Sequence, residues 1–289
     1  MKTQKKPAGV KQKIREEKKT QQRLGMALTA AILITIIIIS AFIINSMLNR
    51  PSSSQTFSSA WQLEAAIVDH LSLTFPNESF KETATNILTQ AGYSVDYYSG
   101  EKVTVELYRN LPTHGYKLII LRVHSTATGL SKEQLVRVPV LLFTSELYSQ
   151  YRYVSEQLGD QVFRAAYNTT ESKDYFAIGP NFVANAMKGE FNNTLIILMG
   201  CEGLVNSYMA NAFIEKGAKA YISWDRKVSA SHTDLATIIL LQRLVTEKKT
   251  ISQAVENTKQ EVGPDPVYNS VLAYYPYLAG KQKIGNIKD

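Results

Sequence analysis

Two stretches of the chain, "YKLIILRVHS" (116–125) and "TLIILMGCEG" (194–203), place apolar residues at almost every position before they end in a polar group. Runs of this kind belong to strands of a parallel sheet covered on both faces, where alternation has no solvent side to serve. Shorter apolar runs, "LEAAIVDH" (63–70) and "YSVDYYS" (93–99), predict two further strands. Between them the apolar positions of "ESFKETATNILTQAG" (78–92) recur at helical spacing and stop at Gly92. Strand, helix and strand in that order form a βαβ unit. "TVELYRNL" (104–111) predicts a short helix before the 116–125 strand, and "LVRVPVLLFTSELY" (135–148) a hairpin-like segment. "LVNSYMANAFIEKG" (204–217) predicts a helix and "AKAYISWD" (218–225) a strand. Helical stretches over 231–248 and 250–263 then close the domain. The fold expected is an α/β three-layer αβα sandwich around a mostly parallel sheet.

The amino-terminal quarter follows a different pattern. Residues 24–49, "LGMALTAAILITIIIISAFIINSMLN", carry no charge and are long enough, at ~1.5 Å per residue, to cross about 30 Å of hydrocarbon as a helix. The division expected is a basic cytoplasmic tail (1–25), a transmembrane helix (26–48), a Ser-rich linker (49–60) and an extracytoplasmic domain (61–289). The apolar core is too long for a cleaved leader, so an uncleaved anchor is expected. Nine Lys or Arg residues precede it and only Arg50 follows closely, which predicts a cytoplasmic amino terminus with the rest of the chain outside. The tail is also placed to meet anionic lipid headgroups, although a topology signal alone accounts for it.

Charge removes one class of partner. The chain has 289 residues and a formal charge of +7, but that excess sits in the tail. Residues 51–289 hold 22 basic and 23 acidic residues, which leaves no basic domain to grip phosphates. Nucleic acid is not an expected partner. Three Asn-x-Ser/Thr sequons, at Asn77, Asn168 and Asn192, fit an external glycoprotein. Asn77 reads equally well as the N-cap of the helix after it.

Candidate chemistry gathers where the two long apolar runs end. Ligands of open parallel sheets bind beyond the carboxyl ends of the strands, which is where His124 and Cys201 fall. A thiol and an imidazole on strands about 4.8 Å apart can share a proton. Gly200 and Gly203 are expected to leave the Cys201 backbone open to an approaching carbonyl, and a nearby His, together with a helix starting after Gly203, to favour the thiolate. Set against this, a lone cysteine beside an apolar strand is on its own most often a small buried hydrophobe. His114 enters its strand and is expected at the opposite edge, while His70 and His232 could each approach the site but read more readily as surface or capping residues. No phosphate loop, dinucleotide fingerprint, serine elbow or zinc signature occurs, so neither cofactor nor metal is expected. A single cysteine excludes an intramolecular disulfide.

The ordered pair "LIILRVHS" and "LIILMGCEG", followed by "AFIEKGAKAYISWDRKV", resembles the caspase-like cysteine peptidases: caspases, gingipains, legumain, separase and, nearest in pattern, CHAT domains. The resemblance spans roughly 63–263. It implies a caspase-like sheet, a Cys201 nucleophile and His124 as its proton-transfer partner, with the backbone N–H groups of Ser125 and Cys201 stabilising the oxyanion. The expected function is a membrane-anchored endopeptidase acting on protein or peptide outside the cytoplasmic membrane, with an insertion at about 126–192. Asp69 and Asp225, each at a strand end, are candidates for a pocket that takes a basic substrate side chain. The alternative is a catalytically inactive caspase-like module for extracellular interaction or sensing.

Overall fold

The structure is a computed structural model that describes residues 63–127, 138–166 and 173–284. The basic tail, the apolar span, the linker and Asn168 lie outside the described residues. Among the described residues no helix is long and apolar enough to cross a membrane.

The fold is mixed α/β, built on a six-stranded, mostly parallel sheet. Its strands are β1 (Leu63–Asp69), β2 (Tyr93–Ser99), β3 (Leu118–Arg122), β8 (Thr194–Leu198), β9 (Ala218–Trp224) and β10 (Leu272–Tyr275), in the spatial order β2-β1-β3-β8-β9-β10. The first five run parallel, and β10 pairs antiparallel on the outer side of β9. All five residues of β3 and of β8 are buried, the reason these runs show no polar alternation.

Side chains of alternate parity feed two separate cores. Ala65, Ile67, Leu118, Ile120, Leu195 and Ile197 face helices α1 (Glu78–Gln90), α6 (Ala230–Leu241) and α7 (Ile251–Val262). Ala66, Val68, Ile119, Leu121, Ile196 and Leu198 face α2 (Val105–Asn110), α4 (Pro180–Asn185) and α5 (Tyr208–Glu215). Helices therefore cover both faces. Helix α1 shows why the local sequence suits this: Phe80, Ala84 and Leu88 form one buried stripe at four-residue spacing. Asn77 caps its amino end by accepting from the Phe80 amide at 3.0 Å. Past its carboxyl end, Gly92 adopts φ +91°, a left-handed conformation suited to a residue without Cβ.

The region expected as an insertion builds a second sheet. Strands β4 (Ser125–Ala127), β5 (Val140–Leu147), β6 (Val162–Ala166) and β7 (Asp174–Ile178) pair antiparallel in the order β4-β5-β7-β6, and α3 (Val154–Leu158) connects β5 to β6. The stretch 135–148 supplies one strand of this sheet, β5, rather than a hairpin of its own within the described residues. The chain leaves the first sheet at Arg122 and enters the second at Ser125, so the predicted strand over 116–125 is two strands in two sheets. Val123 and His124 are the crossing point.

Three further boundaries differ from the sequence reading. The helix expected from 204 begins at Tyr208, because residues 201–207 form turns in which Glu202 takes φ 62°. The helix expected over 231–248 ends at Leu241 and continues as a wider turn, Gln242–Thr246. The domain is not closed by helices: β10 follows them, with Ala273, Tyr274 and Tyr275 all half-buried at the sheet edge.

Candidate active site

Strands β3 and β8 are hydrogen-bonded neighbours in register, Leu121 opposite Leu198, and both deliver their exits to one edge. The Met199 amide extends the ladder by donating to the Leu121 carbonyl at 2.9 Å. Beyond it the two exits are joined directly, since the Ser125 hydroxyl donates to the Cys201 carbonyl at 2.5 Å. A second link runs from the Ala127 amide to Glu202 Oε2 at 2.8 Å. Gly200 makes this approach possible. A Cβ there would collide with Ser125 Oγ and the Val123 carbonyl, and one at Gly203 with Ser223 and Leu198. The glycines thus admit neighbouring chain, correcting the expectation that they leave the backbone open to substrate.

The orientation of the Ser125 amide follows from the β4–β5 ladder. The Phe143 amide donates to the His124 carbonyl at 3.0 Å, which makes 124/143 a hydrogen-bonded pair. By antiparallel alternation 125/142 is then a non-hydrogen-bonded pair, as is 127/140. The N–H groups of Ser125 and Ala127 accordingly point away from β5, and the Ala127 amide is spent on Glu202, the residue after Cys201. The Ser125 amide faces that same side.

The Cys201 and His124 side chains have different partners. The Cys201 sulfur accepts from the Val228 amide at 3.5 Å and donates to the Val228 carbonyl at 3.7 Å, packing beside the core that holds Val228 and Trp224. Imidazole Nε2 of His124 lies 3.0 Å from the Thr74 hydroxyl. Its ring meets His70, Phe75 and Phe143 edge-on, at centroid distances of 5.7, 5.9 and 6.2 Å. The segments come together, but the sulfur's hydrogen bonds go to Val228 rather than to the imidazole.

Both groups are neutral at rest. Burial, with the nearby Arg122 charge, lowers His124 to about 4. Burial and the neighbouring His124 lower His70 to about 3. For Cys201 burial pushes the thiol up, assisted by the carboxylates of Glu202 and Asp265. The Val228 backbone and Lys227 pull the other way without prevailing. This corrects the expected thiolate: the helix that was to favour the anion starts seven residues on, at Tyr208.

No protein-family model matches the chain, and no curated protein matches it. What the site can do rests on its own geometry.

The remaining predicted residues divide. Asp69 is buried, and its carboxylate already holds a cation of the chain itself: Arg122 Nη1 donates to Oδ1 at 2.8 Å, the Ser72 amide to the same oxygen at 2.9 Å, and Tyr97 to Oδ2 at 2.9 Å. Asp225 stays partly exposed, its Oδ1 accepting from the Val271 amide at 2.7 Å. Asn77 spends its side chain on the helix cap and on Asp234, to which Nδ2 donates at 2.9 Å. Asn192 is exposed before β8. His114 lies ahead of β3 at the opposite edge, stacked on Tyr116. Of the two readings of His70 the structure takes the one that brings it to the site: it is fully buried against His124 rather than at the surface. His232 packs on Trp224. Among the described residues no group of three or more His, Cys, Asp or Glu is placed to hold a metal ion.

The sequence reading passed over Arg122, Thr74 and Val228. Arg122 had a legible signal, a charge inside a strand covered on both faces, which must be paired to be buried. Thr74 and Val228 sit in irregular loops and carried none.

Proposed function

We propose that the folded region is a cysteine peptidase of caspase-like type, with Cys201 as nucleophile and His124 as its general base. We further infer that the span 26–48 tethers it to a membrane, tail inside and domain outside. The observation that carries the reading is the hydrogen bond from the Ser125 hydroxyl to the Cys201 carbonyl, since it ties the His-bearing exit of β3 to the Cys-bearing exit of β8. The substrate class follows from the resemblance and from the Ser125 amide, an N–H turned toward the Cys201 segment where an acyl oxyanion would need a donor.

The neutral resting state sets the order of events. Because thiol and imidazole both begin uncharged, the proton leaves sulfur for His124 as sulfur attacks the carbonyl, rather than beforehand. Attack forms the C–S bond and an oxyanion, which the amides of Ser125 and Cys201 stabilise. Collapse breaks the C–N bond, and the imidazolium returns its proton to the departing amine. Water then hydrolyses the thioester with His124 as base. The Cys201 side chain must first rotate from Val228 toward the imidazole.

The same Val228 contacts favour a second reading, a non-catalytic module in which the thiol is a packed structural group. Replacement of Cys201 by Ala in the full chain separates the two. The peptidase account expects turnover of a peptide library to fall to background, and unchanged turnover would remove Cys201 as nucleophile.

A further inference from the structure

We propose that Arg122 is a positioning residue for His124: its buried guanidinium locks the segment Leu71–Asn77 where the Thr74 hydroxyl meets the imidazole. The inference rests on the dyad reading above, and deepens it by naming what orients the base.

Arg122 is fully buried and pairs in register with Asp69 on the adjacent strand. Its fork reaches three elements at once. Nη1 donates to Asp69 at the end of β1, while Nε and Nη2 donate to the two oxygens of Asp234 in α6 at 2.7 and 2.9 Å. Nη2 also donates to the Phe75 carbonyl at 2.8 Å. Asp69 in turn accepts from the Ser72 amide, and Asp234 from Asn77. Thr74 is therefore held on both sides, through Ser72 before it and Phe75 and Asn77 after it.

Apolar packing anchors the start of this segment, where Leu71 is buried, but not the part around Thr74. Leu73 and Phe75, on either side of Thr74, are 49% and 51% exposed. Besides the turn in which the Thr74 and Phe75 amides donate to the Leu71 carbonyl, the polar clamp is what places the Thr74 hydroxyl. A planar guanidinium can serve two carboxylates and a carbonyl in different directions, whereas a lysine ammonium, one point charge on a flexible stem, cannot hold all three geometries. Arg122→Lys therefore keeps the charge near His124 while releasing the segment.

A double-mutant cycle with Thr74→Val tests this in the full chain, using iodoacetamide as probe and the ¹⁵N resonance of His124 Nε2 as a second readout. With one cysteine in the sequence, alkylation reports Cys201 alone. Each single variant is expected to slow alkylation by about tenfold and to shift the Nε2 resonance in the same direction. The double variant is expected within about twofold of either single, since both remove the same contact. Multiplying rate effects, together with a wild-type Nε2 resonance in Arg122→Lys, would overturn the proposal. Should Arg122→Lys fail to fold, Asp234→Asn replaces it in the cycle under the same criteria. If His124→Ala leaves alkylation unchanged, the dyad reading fails separately, and the Nε2 resonance alone decides whether Arg122 positions Thr74.

Discussion

The ends of β3 and β8 are adjacent, yet they are secured by opposite means. At the β3 end a buried arginine, two aspartates and an asparagine are interlocked by charge-assisted hydrogen bonds, and His124 is bounded by Thr74 and three rings. At the β8 end the Cys201 sulfur has, among the described residues, two long hydrogen bonds, both to the backbone of Val228. Thiols are weak donors and weak acceptors, so this second arrangement restrains little. By these contacts the His124 imidazole is the more firmly held of the two side chains and the Cys201 sulfur the less. On the proposed peptidase reading, the thiol rests protonated and packed on Val228 and has to turn from it before it can meet the imidazole.

The comparison breaks most directly at Arg122. Arg122→Met leaves the Asp69 and Asp234 carboxylates buried without their cation, and should destabilise the folded region by about 3–5 kcal/mol in denaturant titrations. A cost below about 1 kcal/mol would mean that the β3 end is not held by this network.

Acid acts on the same end. His124 and His70 are buried in the neutral form, so the unfolded chain binds more protons than the folded one between the folded values, about 4 and about 3, and the ordinary 6.5. Stability is therefore fully present above about pH 6.5 and falls as the pH drops toward 4. His124 alone accounts for about 3 kcal/mol of that loss. Denaturation midpoints from pH 7.5 to pH 4 measure the slope, and His124→Gln should remove about half of it, the remainder being carried by His70. An unchanged slope in that variant would place the acid-sensitive groups elsewhere.

What could be read from sequence divides along the same line. The central strands were legible because β3 and β8 are buried on both faces, and a short unbroken apolar run between turn signals suits a covered central strand better than an edge strand or a loop. The edge where His124 and Cys201 emerge followed from strand direction alone. The strand break at Val123–His124 was hidden, because only two residues, neither of them Gly or Pro, separate β3 from the three-residue β4. Strand β10 was missed since a half-buried edge of four residues leaves a weak pattern. The protonation state of the thiol was misjudged for a structural reason. A helix dipole acts within its first turn, and the turns around Glu202 put that first turn at Tyr208, away from Cys201. Asp69 illustrates the limit of reading carboxylates one at a time: its partner Arg122 lies 53 residues along the chain, and only the β1–β3 register brings them together.

The central claim is that a fixed imidazole serves a sulfur that turns to meet it. Its most direct measurement is the rate at which a peptidyl acyloxymethyl ketone labels Cys201 in the full chain and in His124→Ala at pH 7.5. Loss of the general base should slow labelling by at least about 100-fold with the fold intact by circular dichroism. Equal rates in the two proteins would contradict the account.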